Sequence, residues 1–188
     1  MSAAGIAPEA SVVIAFGSNQ GNREALLSAA VLDVAALDGV TVTAVSGLVE
    51  SHAVKLAGVD ETAPNYLNGV LTARTSLTPE QLLDELQRIE LEHGRVRLER
   101  WGDRTLDLDL IAVTDAEGNP VQQTSERLTL PHPRAWQRAF VLAPWLQVEP
   151  HAELPGHWHI AELLEPIADS VWEHPSAVFP PPIEDLAR

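Results

Sequence analysis

The sequence predicts an α+β domain, a mainly antiparallel sheet with helices packed on it. Three observations carry that expectation. Four strand-like runs and two helix-like runs follow one another in the order β-α-β-β-α-β, which suits hairpin and crossover connections within one sheet. Both helical runs start at residues able to cap them. An apolar fraction of 45% over 188 residues is enough to bury a core. The domain is expected to span residues 11–168, between an N-terminal extension (1–10) and a proline-rich tail (169–188).

The elements follow in order. SVVIAFG (11–17) is a β-branched run closed by glycine, as in a buried strand. SNQGN turns the chain, and Asn22 is placed to cap REALLSAAVLDVAAL, whose alanines and leucines favour helix. VTVTAVSGLVE (40–50) alternates as one second strand, and residues 51–64 are expected to form a loop. NYLNGVLTART (65–75) is the third strand. In the next helix Thr78 caps, Pro79 takes the first position, Gln81 completes a capping box and Gly94 supplies the stop. TLDLDLIAV (105–113) is the fourth strand. The stretch around residues 128–148 is mixed and broken by proline, IAELLEPI (160–167) suggests a short helix, and the tail is expected to lie on the surface or to be disordered. His151, His157, His159 and His174 read as surface residues.

Composition narrows the function. No cysteine is present, which excludes disulfides, thiolate metal sites and a cysteine nucleophile. No apolar run approaches the roughly 20 residues of a membrane helix, and no secretory signal opens the chain. The expected location is therefore cytoplasmic, with no membrane partner. A net charge of −15 argues against a nucleic-acid partner. Yet eight of the 12 cations fall between Arg88 and Arg138, all of them arginine. Such a cluster in an acidic chain points to a small polyanionic ligand.

The segment ERWGDRTLDLDLIAV (99–113) concentrates the chemistry. Side chains alternate faces along a strand, so Leu106, Leu108 and Leu110 point into the core while Asp107 and Asp109 point into a cleft. Two carboxylates at that spacing, roughly 6.5–7 Å apart at the backbone, can share hard cations. Magnesium suits them, because it takes one or two carboxylates and completes its shell with water and phosphate oxygens. Arg95, Arg97, Arg100 and Arg104, just upstream, offer planar donors to a triphosphate. Trp101 offers a flat face to a ring. The plainer reading of the aspartates, as surface ion pairs, is weakened by the poor fit of aspartate within strands. GSNQGN lacks the Gly-Lys-Ser/Thr of a Walker loop, so it is weak evidence for phosphate binding.

On these residues a resemblance can be stated. GRVRLERWGDRTLDLDL is similar to the signature of the 6-hydroxymethyl-7,8-dihydropterin pyrophosphokinases of folate biosynthesis. IAFGSNQGN resembles that family's first strand and turn, PNYLNGV its third strand, LQRIELEHGR its second helix and RLTLPHPRAWQRAFVLAPW its later loop. The resemblance implies a ferredoxin-like αβα sandwich and transfer of the β,γ-diphosphate of ATP to the hydroxymethyl group of the pterin. It implies two magnesium ions held by Asp107 and Asp109, and catalytic roles for both together with Arg95 and Arg104. Arg97, Arg100 and Trp101 match the same arginine loop, with Trp101 near both substrates. Tyr66 and Phe140 match an aromatic pair around the pterin, Asn68 an amide bonding its polar edge, and Asp107 a neighbour of its hydroxymethyl group. Gln87, Glu90, His132 and Arg138 match positions lining ATP. Plainer readings stand beside these. Tyr66 and Phe140 can be core aromatics, His132 a turn residue, and Gln87 and Glu90 ordinary solvated positions.

Several positions depart from the family pattern. Asp103 stands where proline is usual, Pro133 where some members have an aromatic residue, and residues 51–64 lack the common Thr-x-Pro-x-Gly. The tail beyond about residue 170 has no clear counterpart. The expected partners are ATP and 6-hydroxymethyl-7,8-dihydropterin, and the expected state is a monomer. Two other readings compete: another magnesium-dependent phosphotransferase on this scaffold, and a non-catalytic nucleotide-binding module.

Overall fold

The computed structural model describes residues 9–55, 58–60, 63–94 and 105–182. In chain order the strands are β1 (Ala10–Ser18), β2 (Val40–Val45), β3 (Leu48–Ser51), β4 (Ala53–Lys55), β5 (Gly58–Asp60), β6 (Tyr66–Thr75), β7 (Asp107–Thr114), β8 (Gln123–Thr124), β9 (Thr129–Leu130) and β10 (Val171–His174). The helices are α1 (Arg23–Ala35), α2 (Pro79–Glu92), α3 (Ala139–Val148) and α4 (Ile160–Leu164), the last continuing as a 3-10 turn (Glu165–Ser170).

Among the described residues, six strands form the main sheet, in the order β10-β3-β6-β1-β7 with β2 also on β6. The pairings are antiparallel. The expected α+β class with a mainly antiparallel sheet is therefore what the chain adopts. The helices divide between the two faces. Leu27, Ala30, Val31 and Val34 of α1 and Leu82, Leu86 and Ile89 of α2 bury one face with Val12, Ile14, Phe16, Leu67 and Leu71. Val141, Leu142 and Trp145 of α3 cover Val13, Ala15, Val70 and Ile111 on the other.

Both helix starts follow from sequence. The Asn22 carboxamide accepts the Ala25 N–H at 3.2 Å. The Thr78 hydroxyl accepts the Gln81 N–H at 3.2 Å while the Gln81 side chain accepts the Thr78 N–H at 2.9 Å, a reciprocal cap worth about 1 kcal/mol. Gly94 ends α2 at φ +81°, where a side chain would be strained.

Three expectations are corrected and a fourth is narrowed. The second strand is broken at Ser46–Gly47. The Ser46 backbone N–H bonds the Val70 carbonyl while its hydroxyl accepts the Val70 N–H at 2.9 Å, leaving β2 and β3 as two segments along β6. Residues 51–64 contain a hairpin, β4 paired with β5, rather than only a loop. The mixed stretch hides α3, a helix apolar on nearly all sides with Pro144 inside it; without a polar stripe it shows no helical period. Of the two expectations for the tail, order against the surface is the one the chain adopts as far as Pro182, because β10 adds to the edge of β3.

Candidate active site

The β1–β7 register sets the site. Asp107 stands opposite Gly17 and Asp109 opposite Ala15. Leu106, Leu108 and Leu110 are buried among the α1 and α2 side chains. The alternation therefore sends both aspartates to the α3 side of the sheet, where each is half-buried. Ile111 follows them onto the α3 face by the same alternation, and a register shift between Val13 and Ile14 adds Ala112 to it. The carboxylates thus line the end of that face and apolar side chains fill the rest.

Across β1, the same transverse row continues from Gly17 to Asn68 of β6 and on to Val49 of β3. At the usual strand spacing, Asn68 and Asp107 lie about 9.5–10 Å apart through the backbone. Gly17 is the floor between them. A β-carbon there would sit 2.7 Å from the Asn68 carboxamide oxygen, so that oxygen lies directly over the glycine. The Asn68 amide nitrogen donates to the Ser51 hydroxyl at 3.0 Å, which fixes the carboxamide plane. Tyr66, two residues earlier on β6, shares the face and is half-buried.

On the far side, the segment entering α3 closes over Asp109. Arg138 donates to Asp109 Oδ2 at 3.1 Å and its guanidinium carbon sits 5.6 Å from the centre of the Phe140 ring. Phe140 itself packs partly buried against the α3 core, so it is a packing aromatic at the site's border. The His132 N–H bonds the Ile111 carbonyl at 2.8 Å, tying this segment to β7. His132 Nδ1 accepts the Arg134 N–H at 3.1 Å, leaving the proton on Nε2, which faces Asp109 Oδ2 at 3.9 Å. Burial, followed by the charge of Arg138, pushes the His132 pKa down to about 4, against the opposing influence of Asp107. The contact with Asp109 is therefore that of a neutral imidazole rather than an ion pair.

Glu90 is not a solvated position. It is 2% exposed, and its carboxylate accepts the Leu108 N–H at 2.7 Å. It joins α2 to β7 between the two aspartates. Gln87, one turn earlier, is half-buried. Two members of the arginine cluster are engaged elsewhere: Arg88 pairs with Glu85 and Glu92, and Arg127 with Asp84. Arg95, Arg97, Arg100, Trp101 and Arg104 lie outside the described residues. The structure therefore brings Asp107, Asp109, Arg138 and His132 together, with Asn68 and Tyr66 farther along the same face. Ser51 and Gly17 were missed by sequence reasoning, although a glycine ending a β-branched strand was a signal for Gly17. A cavity of about 550 Å³ at Leu37, Gln81, Asp84 and Arg88 contains none of the site residues.

The family model of the 7,8-dihydro-6-hydroxymethylpterin-pyrophosphokinases matches residues 13–150. The chain belongs to this family. Relatives bearing the name 2-amino-4-hydroxy-6-hydroxymethyldihydropteridine pyrophosphokinase agree. The one from Haemophilus influenzae is 41% identical over 156 residues, covering 83% of this chain and 92% of its own. The one from Pseudomonas aeruginosa is 40% identical over 153 residues, covering 81% and 89%. The one from Bacillus subtilis is 42% identical over 135 residues, covering 72% and 75%. Among solved structures, the Plasmodium falciparum HPPK-DHPS wild type with SDX-DHP matches with a TM-score of 0.57 at 12% identity, over 84% of this chain and 44% of that one. That likeness bears on the fold, and it supports the ferredoxin-like sandwich. Membership in the pyrophosphokinase family sets the enzyme class, an ATP-dependent diphosphotransferase of folate biosynthesis.

Proposed function

We propose that the protein transfers the β,γ-diphosphate of ATP to the hydroxymethyl group of 6-hydroxymethyl-7,8-dihydropterin and releases AMP. One observation carries the reading. A carboxylate pair for metal-bound phosphates and an amide-and-aromatic end for a flat heterocycle occupy one sheet face, joined across Gly17. The Asn68 carboxamide and the Tyr66 ring suit the polar edge and the face of a pterin.

The donor set fits magnesium. Asp107 and Asp109, two residues apart on β7, offer hard carboxylate oxygens. Two carboxylates leave coordination positions for water and phosphate oxygens, as magnesium requires. Bound there, two ions would neutralise and orient the phosphate chain. Arg138 would hold Asp109 in place, and Arg95, Arg97, Arg100 and Arg104 would supply positive charge to the phosphates. Glu90 would act by fixing the Leu108 backbone between the two aspartates rather than by touching ATP. The pterin hydroxyl oxygen bonds to the β-phosphorus, the bond from that phosphorus to the α-phosphate oxygen breaks, and the hydroxyl proton passes to Asp107 or solvent. No enzyme nucleophile is required, since phosphoryl transfer depends on positioning and charge stabilisation.

The test is a product assay with ATP, magnesium and the pterin. AMP should form only when the pterin is present, and Asp107→Ala should abolish it. Pterin-independent ADP, or no turnover despite ATP binding, would favour another phosphotransferase or a binding module.

A further inference from the structure

The segment after α4 makes contacts that the site so far described does not use. β10 pairs antiparallel with β3 over Val171–Ser51, Trp172–Glu50, Glu173–Val49 and His174–Leu48. β3 is thereby held on both edges, by β10 outside and β6 inside. It carries Ser51, whose hydroxyl fixes the Asn68 carboxamide.

At the end of the strand, His174 bridges two carboxylates, Nδ1 to Glu50 at 3.0 Å and Nε2 to Glu24 at 2.7 Å. The Ser176 hydroxyl also donates to Glu24, at 2.9 Å. Glu50 lies 3.6 Å from Arg23 and accepts from the Asn65 side chain at 3.3 Å; Arg23 in turn donates to the Asn65 carbonyl at 2.6 Å. Asn65 directly precedes Tyr66. A second route reaches the same residue, for Trp172 packs on His52 at 5.0 Å between ring centres and His52 Nδ1 lies 3.2 Å from the Asn65 carboxamide oxygen. Finally, Phe179 is buried and packs on Phe16 at 5.8 Å, beneath the strand that continues to Gly17.

We infer that Val171–Phe179 is a strap that positions the heterocycle end of the site, with His174 and Phe179 as positioning residues. The strap acts through Glu50 and Asn65 on Tyr66, through Ser51 on Asn68, and through Phe16 on Gly17. The selectivity expected of His174 follows from topology: β10 lies on the β3 edge, and β6 and β1 stand between β3 and the carboxylates on β7, whereas Phe179 packs on Phe16 of β1. Losing one charge-assisted bridge shifts side chains without unfolding the chain, and a shift of about 1 Å in a binding site is costly.

The inference rests on the proposed pterin activity, and its test separates the two. In the full chain, His174→Ala should raise the KM for the pterin on the order of tenfold, with kcat and the KM for ATP within about twofold. His174→Gln, which can still donate to one glutamate, should recover part of the loss, and Phe179→Leu should be milder than Phe179→Ala. Amide exchange over residues 65–68 should accelerate in His174→Ala, while exchange over 107–110 should not. An unchanged pterin KM with only a lowered melting temperature would overturn the strap, and so would equal losses for both substrates. If the native chain neither binds nor converts the pterin, the proposed activity fails. The exchange measurement then decides the strap alone, and unchanged exchange over 65–68 overturns it.

Discussion

Asp109 holds a carboxylate in contact with Arg138 at 3.1 Å and within 3.9 Å of a neutral His132. Removing the charge without changing shape isolates its role. Asp109→Asn should lower kcat by about 10²–10³-fold and shift melting by no more than a few degrees, since the residue is half-buried at the rim of the core. A variant with normal turnover would remove Asp109 from the machinery. His132 allows a spectroscopic check. Its tautomer, with Nδ1 accepting from Arg134, and a pKa near 4 predict a neutral ring with the proton on Nε2 at pH 6. Ring nitrogen shifts report this directly in the metal-free protein. An imidazolium at pH 6 would contradict it. Arg138→Met should raise the titration midpoint, because the guanidinium contributes to the depression.

Among the elements, β1 shows how sequence becomes a site. Its glycine and the glycine on its partner β6 face opposite problems. A β-carbon on Gly69 would meet ring carbons of Phe16 at 2.4 Å, inside the packed core, whereas one on Gly17 would crowd the Asn68 carboxamide oxygen at 2.7 Å and reach the Leu67 carbonyl at an ordinary 3.5 Å. Gly69→Ala should therefore cost roughly 1–3 kcal/mol by overpacking. Gly17→Ala should cost less in stability and more in pterin affinity, because the side chain that must move belongs to the binding face. Melting temperatures together with pterin dissociation constants distinguish the two. The reverse ranking, with Gly17→Ala the more unstable and still binding pterin normally, would refute this division. α2 is the element most fully legible beforehand, since its cap, its leucine stripe and its stop are all local signals. α3 was illegible for the same kind of reason. It is buried among Val13, Val70 and Ile111 on one side and the α4 segment on the other, so its sequence needs no polar face.

At the scale of the whole molecule, the C-terminal strap closes a contact 150 residues apart in sequence, between His174 and Glu24. Hydrogen bonds from His174 and then Ser176 lower the Glu24 pKa below its ordinary 4.5. The sign is that of a depressed acid. Its stabilising contribution is complete above the unfolded value and is lost as pH falls through the lower folded value. Glu24→Gln should flatten that part of the acid limb of the stability curve and lower the plateau above it. Denaturant titrations at several pH values would show this, and an acid limb unchanged in slope would disprove the linkage.

The sequence by itself determined the β-α-β-β-α-β order up to β7, apart from the split second strand and the β4–β5 hairpin, together with the caps of α1 and α2, the inward leucines of β7 and the alternation that sends Asp107 and Asp109 to one face. These are all set within a few residues by dihedral preference and side-chain period. Only the tertiary structure decided which strand lies beside which, and therefore that Gly17 separates Asn68 from Asp107, that Glu90 is buried against the Leu108 N–H, and that His174 reaches Glu24 and Glu50. Those outcomes depend on register, on the break at Ser46–Gly47 and on the burial of an edge by β10. They are settled by the energy of the assembled core, which no local stretch of chain contains.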